Sequence, residues 1–152
     1  MDGGQGGLHR RGHGEDPLRS EGLTTHREWV AGDRFLVDTT TGQLAGAPYY
    51  RMGVLGYSNV DDRYEWNTVD GINATMMTYK GAPGSGTRPV ISMEGVFTDQ
   101  GALGEETIGL SVVQRTEIVV TDADHHVIDI HVTPPGGREF LADHGVYTRI
   151  SP

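Results

Sequence analysis

Residues 64–81 read YEWNTVDGINATMMTYKG, two runs of alternating bulky and polar side chains on either side of an Asp-Gly pair. An Asp-Gly pair between two such runs is typical of a two-residue hairpin turn of type I′, here at Asp70 and Gly71. The turn would place Trp66 opposite Thr75 across the two strands. Because side chains alternate between the faces of a strand, one face of the hairpin is predicted to carry Tyr64, Trp66, Thr68, Asn73, Thr75 and Met77.

The two adjacent methionines are separated by this pairing. Met77 is predicted to lie across from Tyr64 on the core face, whereas Met76 faces outward beside Glu65. A methionine side chain is flexible, and its sulfur contacts aromatic rings favourably. The face that carries Met77 can therefore be an ordinary core or the wall of a pocket, and the sequence leaves both interpretations open.

Short runs of alternating apolar and polar residues continue along the chain, and no apolar stripe of helical spacing competes with them. The connectors between about nine such runs are brief and rich in glycine, proline, aspartate and asparagine. Short connectors join antiparallel neighbours, because parallel strands need a crossover of about a dozen residues or more. The sequence therefore predicts an all-β fold, an antiparallel up-and-down meander of about nine strands. Closure into a barrel would remove both exposed edges and could enclose one small ligand; a β-sandwich is the main alternative.

The beginning of the chain differs in composition from the rest. Residues 1–17 are rich in glycine and charge and offer few side chains to bury, which predicts a flexible lead-in or a degraded first strand. Residues 18–152 are predicted to form a single β-barrel domain, since a chain of 152 residues fits one core. The longest connector, residues 101–109, could fold over an opening of the barrel.

Charge and cysteine content narrow the function classes. The chain has no cysteine, which excludes disulfides, thiolate metal sites and cysteine nucleophiles and favours a reducing compartment. Its formal net charge of −9 repels nucleic acid and anionic membrane surfaces. Neither a secretory signal nor a membrane span of about 20 apolar residues is recognisable. We therefore expect a cytoplasmic protein with no nucleic-acid or membrane partner.

A second hairpin is predicted between Gln114 and Val132, and its register is set by apolar residues. The pairing that gathers them on one face places Gln114 opposite Val132 and Ile118 opposite Ile128. The other face would then carry a cluster of acid, base and cation that is either catalytic or a solvated surface of complementary charges. Its members are Arg115, Glu117, Asp129 and His131.

The last strand is predicted to extend this pairing past residues 133–137. Val132 would lie opposite Phe140, and Ile128 opposite His144. His144 would then be the one imidazole on the apolar face. A histidine in that position is either a hydrogen-bonded core residue or a ligand or base.

Motifs for metals and nucleophiles are incomplete. Asp122, Asp124, His125 and His126 lie within five residues, but they match neither the converging ligand set of zinc nor the longer loop of calcium. Aspartate and histidine at a hairpin tip are ordinary turn formers. The serines lack the G-x-S-x-G elbow, and the glycine-rich GAPGSG lacks the lysine of a phosphate-binding loop. No metal or cofactor is expected.

Several short segments together resemble a known family. In order along the chain they are DRFLV, GAPY, GVLGYSN, the pair Tyr64 and Trp66, TMM, DADHH, REF and YTR. This ordered set resembles a family of bacterial proteins catalogued as domain of unknown function 1579, over roughly residues 20–149. The resemblance implies a lipocalin-like (calycin-like) barrel and no established activity. Members of that family begin with a Gly-x-Trp-x-Gly-x-Gly strand, whereas Leu8 stands here in the tryptophan position, so the seam of the barrel is expected to close poorly.

The function predicted from these features is a small-molecule-binding barrel for an apolar or aromatic ligand. The alternative is a small barrel enzyme, isomerase, cyclase or hydrolase-like, that acts on a hydrophobic metabolite through His144 or the charged cluster. A third interpretation is an assembly role with a solid interior, and a homo-oligomer is left open. The predicted ligand-binding residues are Tyr64, Trp66, Thr75, Met77, Gln114 and His144.

Overall fold

Ten strands follow one another around a closed barrel in the computed structural model, each antiparallel to its neighbours. The structure describes residues 2–11 and 17–150, with side chains from residue 22 onward. The predicted all-β antiparallel meander is confirmed. The strands are β1 (Asp2–Arg11), β2 (Pro17–Val30), β3 (Phe35–Leu44), β4 (Ala47–Ser58), β5 (Arg63–Asp70), β6 (Met77–Lys80), β7 (Val90–Thr98), β8 (Ser111–Val120), β9 (His125–Thr133) and β10 (Phe140–Ile150).

The first strand closes the barrel. β1 pairs on one side with β10, from Gly3 opposite Ile150 to Arg10 opposite Asp143, and on the other side with β2. It makes ten strands where about nine were predicted, and it bridges the seam that was expected to close poorly. Part of the predicted lead-in is thus a strand, while residues 12–16 lie outside the described residues. The division of the chain at residue 17 remains a prediction.

The connections define two ends of the barrel. We call the end with the β2–β3, β4–β5, β6–β7 and β8–β9 connections the upper end, and the opposite end the lower end. The β7–β8 connection, which contains a short 3₁₀ helix (Glu105–Thr107), lies at the lower end. Its Leu103 packs in a buried cluster with Val112 of β8 and Val132 of β9. The connector therefore packs against the core at this end, and its predicted role of folding over an opening stays a prediction.

Asp99 holds the β7–β8 loop in place. Its side chain accepts hydrogen bonds from the backbone N–H groups of Ala102 and Leu103, at 2.9 and 3.3 Å, and from the Thr107 hydroxyl at 2.6 Å. Burial would raise the pKa of the Asp99 carboxyl, but these hydrogen bonds outweigh it and lower the pKa below 3.8. The folded loop therefore favours ionised Asp99.

Asp99→Asn is expected to lower the free energy of unfolding by about 1–3 kcal/mol at pH 7, because hydrogen bonds to a charged group are lost. Folding lowers the pKa of Asp99, so its contribution is complete above pH 3.8 and disappears as the pH falls through the folded value. Urea unfolding at pH 7 and pH 3 measures the difference between wild type and variant. The difference should shrink at pH 3; an equal loss at both pH values would contradict the role of the charge.

The β5–β6 register differs from the prediction. Trp66 lies opposite Tyr79 rather than Thr75, because the two strands are joined by a six-residue loop, residues 71–76, instead of a two-residue turn. The Asp70 carboxylate accepts hydrogen bonds from the backbone N–H groups of Ile72 and Asn73, each at 2.7 Å, and this arrangement replaces the type I′ turn. The hairpin turn predicted at Asp70 and Gly71 is therefore wrong.

The predicted faces of this hairpin are nevertheless correct. The partner of Trp66 moves by four residues, an even number, so the side chains within the two strands keep their faces. Asn73 and Thr75, predicted to lie on a strand, are in the loop instead, and Met77 lies opposite Thr68 rather than Tyr64. Met77 is buried at 6% exposure, whereas Met76 is 78% exposed. The separation of the two methionines is confirmed.

The register at the last hairpin is right in one half and wrong in the other. Gln114 lies opposite Val132 and Ile118 opposite Ile128, as predicted. Phe140 also pairs with Val132 as predicted, but a β-bulge follows between Leu141 and Asp143. A bulge adds one residue to one strand and turns the following side chains to the other face.

The bulge reverses the predicted position of His144. It turns Asp143 inward, where it is 5% exposed, and His144 outward. His144 lies opposite Asp129, and its Nδ1 is 2.5 Å from the Asp129 carboxylate on the outer surface. The prediction that His144 faces the apolar interior is wrong.

Candidate functional site

Three buried side chains from the consecutive strands β3, β4 and β5 contact one another inside the barrel. Arg51 of β4 donates from Nη2 to Oδ1 of Asp38 on β3 at 3.0 Å, and the Trp66 indole N–H on β5 donates to Asp38 Oδ2 at 3.2 Å. The guanidinium carbon lies 5.2 Å from the centroid of the Trp66 ring, a cation–π distance. We call Asp38, Arg51 and Trp66 the Arg51 layer.

Gly53 makes room for the Arg51 layer. It lies on β4 between its partners Asp38 on β3 and Thr68 on β5. A Cβ at this position would collide with Oδ2 of Asp38 and Nε1 of Trp66, the two atoms that share a hydrogen bond. Asp38 of β3 and Trp66 of β5 can therefore contact each other, because Gly53 on the strand between them has no side chain.

Arg51 remains charged although it is buried. Burial alone would lower the pKa of its guanidinium, but Tyr147 and Asp38 raise the pKa above its ordinary value. Its hydrogen bonds to other described side chains, Asp38 and Thr40, leave from Nη2. Its Nε is buried and has no hydrogen-bond partner among the described residues. An unmatched buried donor costs about 1–3 kcal/mol.

A mostly apolar cavity of about 240 Å³ lies above the Arg51 layer, and we call it the upper chamber. Val120, at the end of β8 and 63% exposed, marks its rim toward the upper end. Two polar side chains, Arg27 and His126, join the layer in lining it. Its apolar walls come from five strands: Leu36, Leu55, Ile91, Ile118, Val120 and Ile128.

His126 is neutral in this chamber. Its Nε2 lies 3.0 Å from Nη2 of Arg27; because arginine can only donate, Nε2 is the acceptor and the ring proton is on Nδ1. Burial, and then the charge of Arg27, lower the pKa of His126 to about 4. The ring stacks on Tyr147 with centroids 4.6 Å apart. In this imidazole, Nε2 is therefore the hydrogen-bond acceptor and Nδ1 is the donor.

A smaller, polar cavity of about 50 Å³ lies below the Arg51 layer, and we call it the lower chamber. It has room for about three water molecules. Gln114 donates to the Tyr79 hydroxyl at 2.7 Å, and that hydroxyl lies 3.2 Å from the sulfur of Met77. Burial raises the pKa of Tyr79, so the phenol is protonated. The other lining residues are Tyr49, Arg51, Trp66, Thr68, Asp70, Asn73, Ile130 and Asp143.

The predicted site residues divide between these cavities. Trp66 lines both chambers, and Met77 and Gln114 line the lower one. Tyr64 packs against the buried cluster around Trp66. Thr75 lies partly buried in the β5–β6 loop and lines neither chamber. His144 lies on the outer surface, away from the other residues that were predicted to bind the ligand.

Four polar lining residues were missed from the sequence. Asp38 and Arg51 carry charge, and a charge in a strand was read as a mark of the outer face. Asp38 nevertheless lies two residues from the inward Leu36, and Arg51 lies four residues from the inward Leu55, so alternation alone could have placed both inside. Arg27 and His126 follow the same rule on β2 and β9.

The second predicted cluster lies on the outside of the barrel. Nη2 of Arg115 is 2.6 Å from the carboxylate of Glu139, and Arg115 also contacts Glu117. His131 Nε2 is 3.4 Å from Glu117. These residues face away from both chambers, in agreement with a solvated surface of complementary charges. Among the described residues, no group of three or more histidine, aspartate or glutamate side chains is placed to hold a metal ion.

Comparison with known proteins gives a family and no characterised relative. The model of a family described as protein of unknown function (DUF1579) matches residues 9–149, which include every residue that lines the two chambers. No curated protein matches the sequence. Within the described part of the chain, none of the helices has the length and apolar character needed to cross a membrane.

Proposed function

The chain belongs to this family of proteins of unknown function (DUF1579), and we propose that it is a binding protein whose upper chamber holds one small, mostly apolar or aromatic molecule. The observation that carries the proposal is the cavity of about 240 Å³ with apolar walls. A cavity of about 150 Å³ accepts benzene, and pockets for drug-sized ligands begin at about 300 Å³. A ligand with one ring and a short side chain suits this chamber.

The walls of the upper chamber support binding rather than simple packing. Leu55 of β4 and Ile91 of β7 both line this space, which none of the side chains described in the structure fills. Trp66 provides an aromatic floor, and aromatic faces stack well on flat ligands. The opening at Val120 gives the ligand a route from the upper end. Among the residues predicted from sequence, we assign ligand contact to Trp66 and a supporting place to Met77 and Gln114.

Binding can be tested with Trp66 as the reporter. The chain has two tryptophans, so Trp29→Phe removes the exposed one and leaves Trp66 alone. Titration with 4-phenylbutanol and with 4-phenylbutanoate should give a saturable change of Trp66 emission with at least one of them. The phenyl ring absorbs too far into the ultraviolet to interfere with tryptophan emission.

A pair of substitutions locates the bound molecule. Ile118→Phe places extra volume inside the chamber and should weaken binding at least tenfold. Val119→Phe, the next residue on the outer face, is the matched control and should leave binding unchanged. If neither compound saturates Trp66 emission, or if the two variants behave alike, the proposal is wrong.

The predicted alternative, a small barrel enzyme, needs a general base in the chamber. Among the described residues, His126 is the one imidazole that lines it, and its Nε2 lone pair is already used by Arg27. The charged cluster of Arg115, Glu117 and His131 lies outside. The geometry supports binding over acid–base chemistry.

The proposal extends to the setting of the protein. We infer a lipocalin-like barrel of a bacterial protein that works in the cytoplasm, from the resemblance and from the absence of cysteine. The net charge of −9 disfavours nucleic-acid and membrane partners. The small molecule is the one partner that the proposal requires, and binding needs no further cofactor.

A further inference from the structure

We propose that the ligand of the upper chamber is a small monocarboxylate, with an apolar or aromatic body and its carboxylate seated on Arg51. This inference rests on the proposed function and names the chemical class of its ligand. Three observations support it: the side-chain acceptors of the described lining already have partners, Arg51 keeps a buried donor without one among the described residues, and two arginines line the chamber.

Among the described residues that line the upper chamber, the side-chain acceptors Asp38 and His126 have hydrogen-bond partners within the protein. Asp38 accepts from Arg51 at Oδ1 and from Trp66 at Oδ2. His126 accepts from Arg27 at Nε2. A ligand that enters as a hydrogen-bond donor would have to displace one of these bonds, so the chamber disfavours amines and other donors.

The groups left over are donors. All hydrogen bonds from Arg51 to other described side chains leave from Nη2, and its Nε is buried without a partner. His126 carries its proton on Nδ1 and is a donor at that atom. A guanidinium presents parallel N–H groups that match the two oxygens of a carboxylate. A carboxylate would give a partner to the Arg51 Nε donor, which has none among the described residues.

The cationic side chains of the upper chamber suit an anion better than a cation. Arg27 and Arg51 are both positively charged and line the chamber beside Asp38. Asp70 and Asp143 line the lower chamber instead, and Asp70 is engaged with its own loop. Since the whole chain carries −9, an attraction for anions is a local property of the chamber.

The apolar part of the ligand would extend from the layer toward the rim. Leu36 and Leu55 flank the way from Trp66 to the upper end, and Ile91 and Ile118 stand across from them. A linear acid with a terminal ring would therefore bind with its head on the floor and its ring in the apolar part. This orientation predicts that tight binding requires both the carboxylate and the apolar ring of the ligand.

The test compares 4-phenylbutanoate with 4-phenylbutanol, which share the ring and the chain and differ in the head group. Calorimetric titration of wild-type protein at pH 7 should give a dissociation constant at least tenfold lower for the acid, because a charge-assisted pair replaces a neutral hydrogen bond. Equal affinities, or tighter binding of the alcohol, would overturn the carboxylate inference and leave the binding function intact. Binding of neither compound would overturn both.

Paired substitutions assign the head group to Arg51. Asp38→Asn with Arg51→Met removes both charges of the layer, and the preference for the acid should fall to about equal affinity for the two compounds. Arg115→Met with Glu139→Gln removes a charge pair from the outer face and should keep the wild-type preference. Arg27→Gln can still donate to His126, and it should reduce the preference even if the double variant fails to fold. A wild-type preference in Arg27→Gln and in any folded layer variant would contradict the assignment.

Discussion

Replacing Arg51 by methionine is expected to lower the free energy of unfolding by about 3–5 kcal/mol. Removing one partner of a buried ion pair leaves the other charge without compensation, which is more costly than losing the pair. Asp38 would keep the hydrogen bond from Trp66 but lose that from Arg51. Urea unfolding followed by circular dichroism measures the loss.

Two further variants separate the buried charge from other causes. Asp38→Asn combined with Arg51→Met removes both charges and should recover at least half of the stability lost in Arg51→Met. Arg115→Met removes an arginine that is ion-paired on the outer face and should cost less than about 1 kcal/mol. If the double variant is as unstable as Arg51→Met, packing around the side chain rather than the uncompensated carboxylate would explain the loss.

The faces of the strands could be predicted from the sequence more reliably than their pairing. Alternation of side chains depends on each strand alone, and it placed Trp66 and Met77 inside and Met76 outside. Pairing depends on the turn, and the turn at Asp70 uses hydrogen bonds from Ile72 and Asn73 that the Asp-Gly pair does not reveal. The face assignment was preserved because the error in register was an even number of residues.

The β-bulge in β10 could not be predicted from the alternation of side chains. An inward sequence of Phe140, Ala142 and His144 satisfies the apolar pattern better than one that buries Asp143. The fold buries Asp143 nevertheless, and it lines the lower chamber with residues from other strands, including Gln114. A buried carboxylate depends on neighbours that are distant in sequence, so a local pattern cannot predict it.

The polar lining of the upper chamber was missed for a related reason. A charge in a strand normally indicates the solvated face, and Asp38 and Arg51 each violate that rule. Together they obey a different rule, because buried charges are found in pairs. The pairing is visible only when β3 and β4 are side by side with Trp66 in reach, which requires the three-dimensional structure.

Gly53→Ala is expected to lower the free energy of unfolding by about 3 kcal/mol. The added Cβ would occupy the space between Asp38 Oδ2 and Trp66 Nε1 and would break their hydrogen bond. Overpacking a core costs about 1–3 kcal/mol, and the loss of a hydrogen bond to a charged group adds to it. Urea unfolding gives the stability. A shift of Trp66 emission in the folded Trp29→Phe background reports the displaced indole directly.

Gly56→Ala, three residues further along β4, is the matched control. Its Cβ would lie 2.7 Å from the ring of Phe35, a side chain that is 42% exposed and can turn away. Because alanine also restricts the unfolded chain more than glycine, the net loss should be below about 1 kcal/mol, with Trp66 emission unchanged. Equal losses of stability in the two variants would mean that the cost comes from replacing glycine in the strand backbone and not from the contact between Asp38 and Trp66. A loss confined to Gly53→Ala would instead show that this glycine is needed because Asp38 and Trp66 meet across it, and that the layer under the chamber depends on their contact.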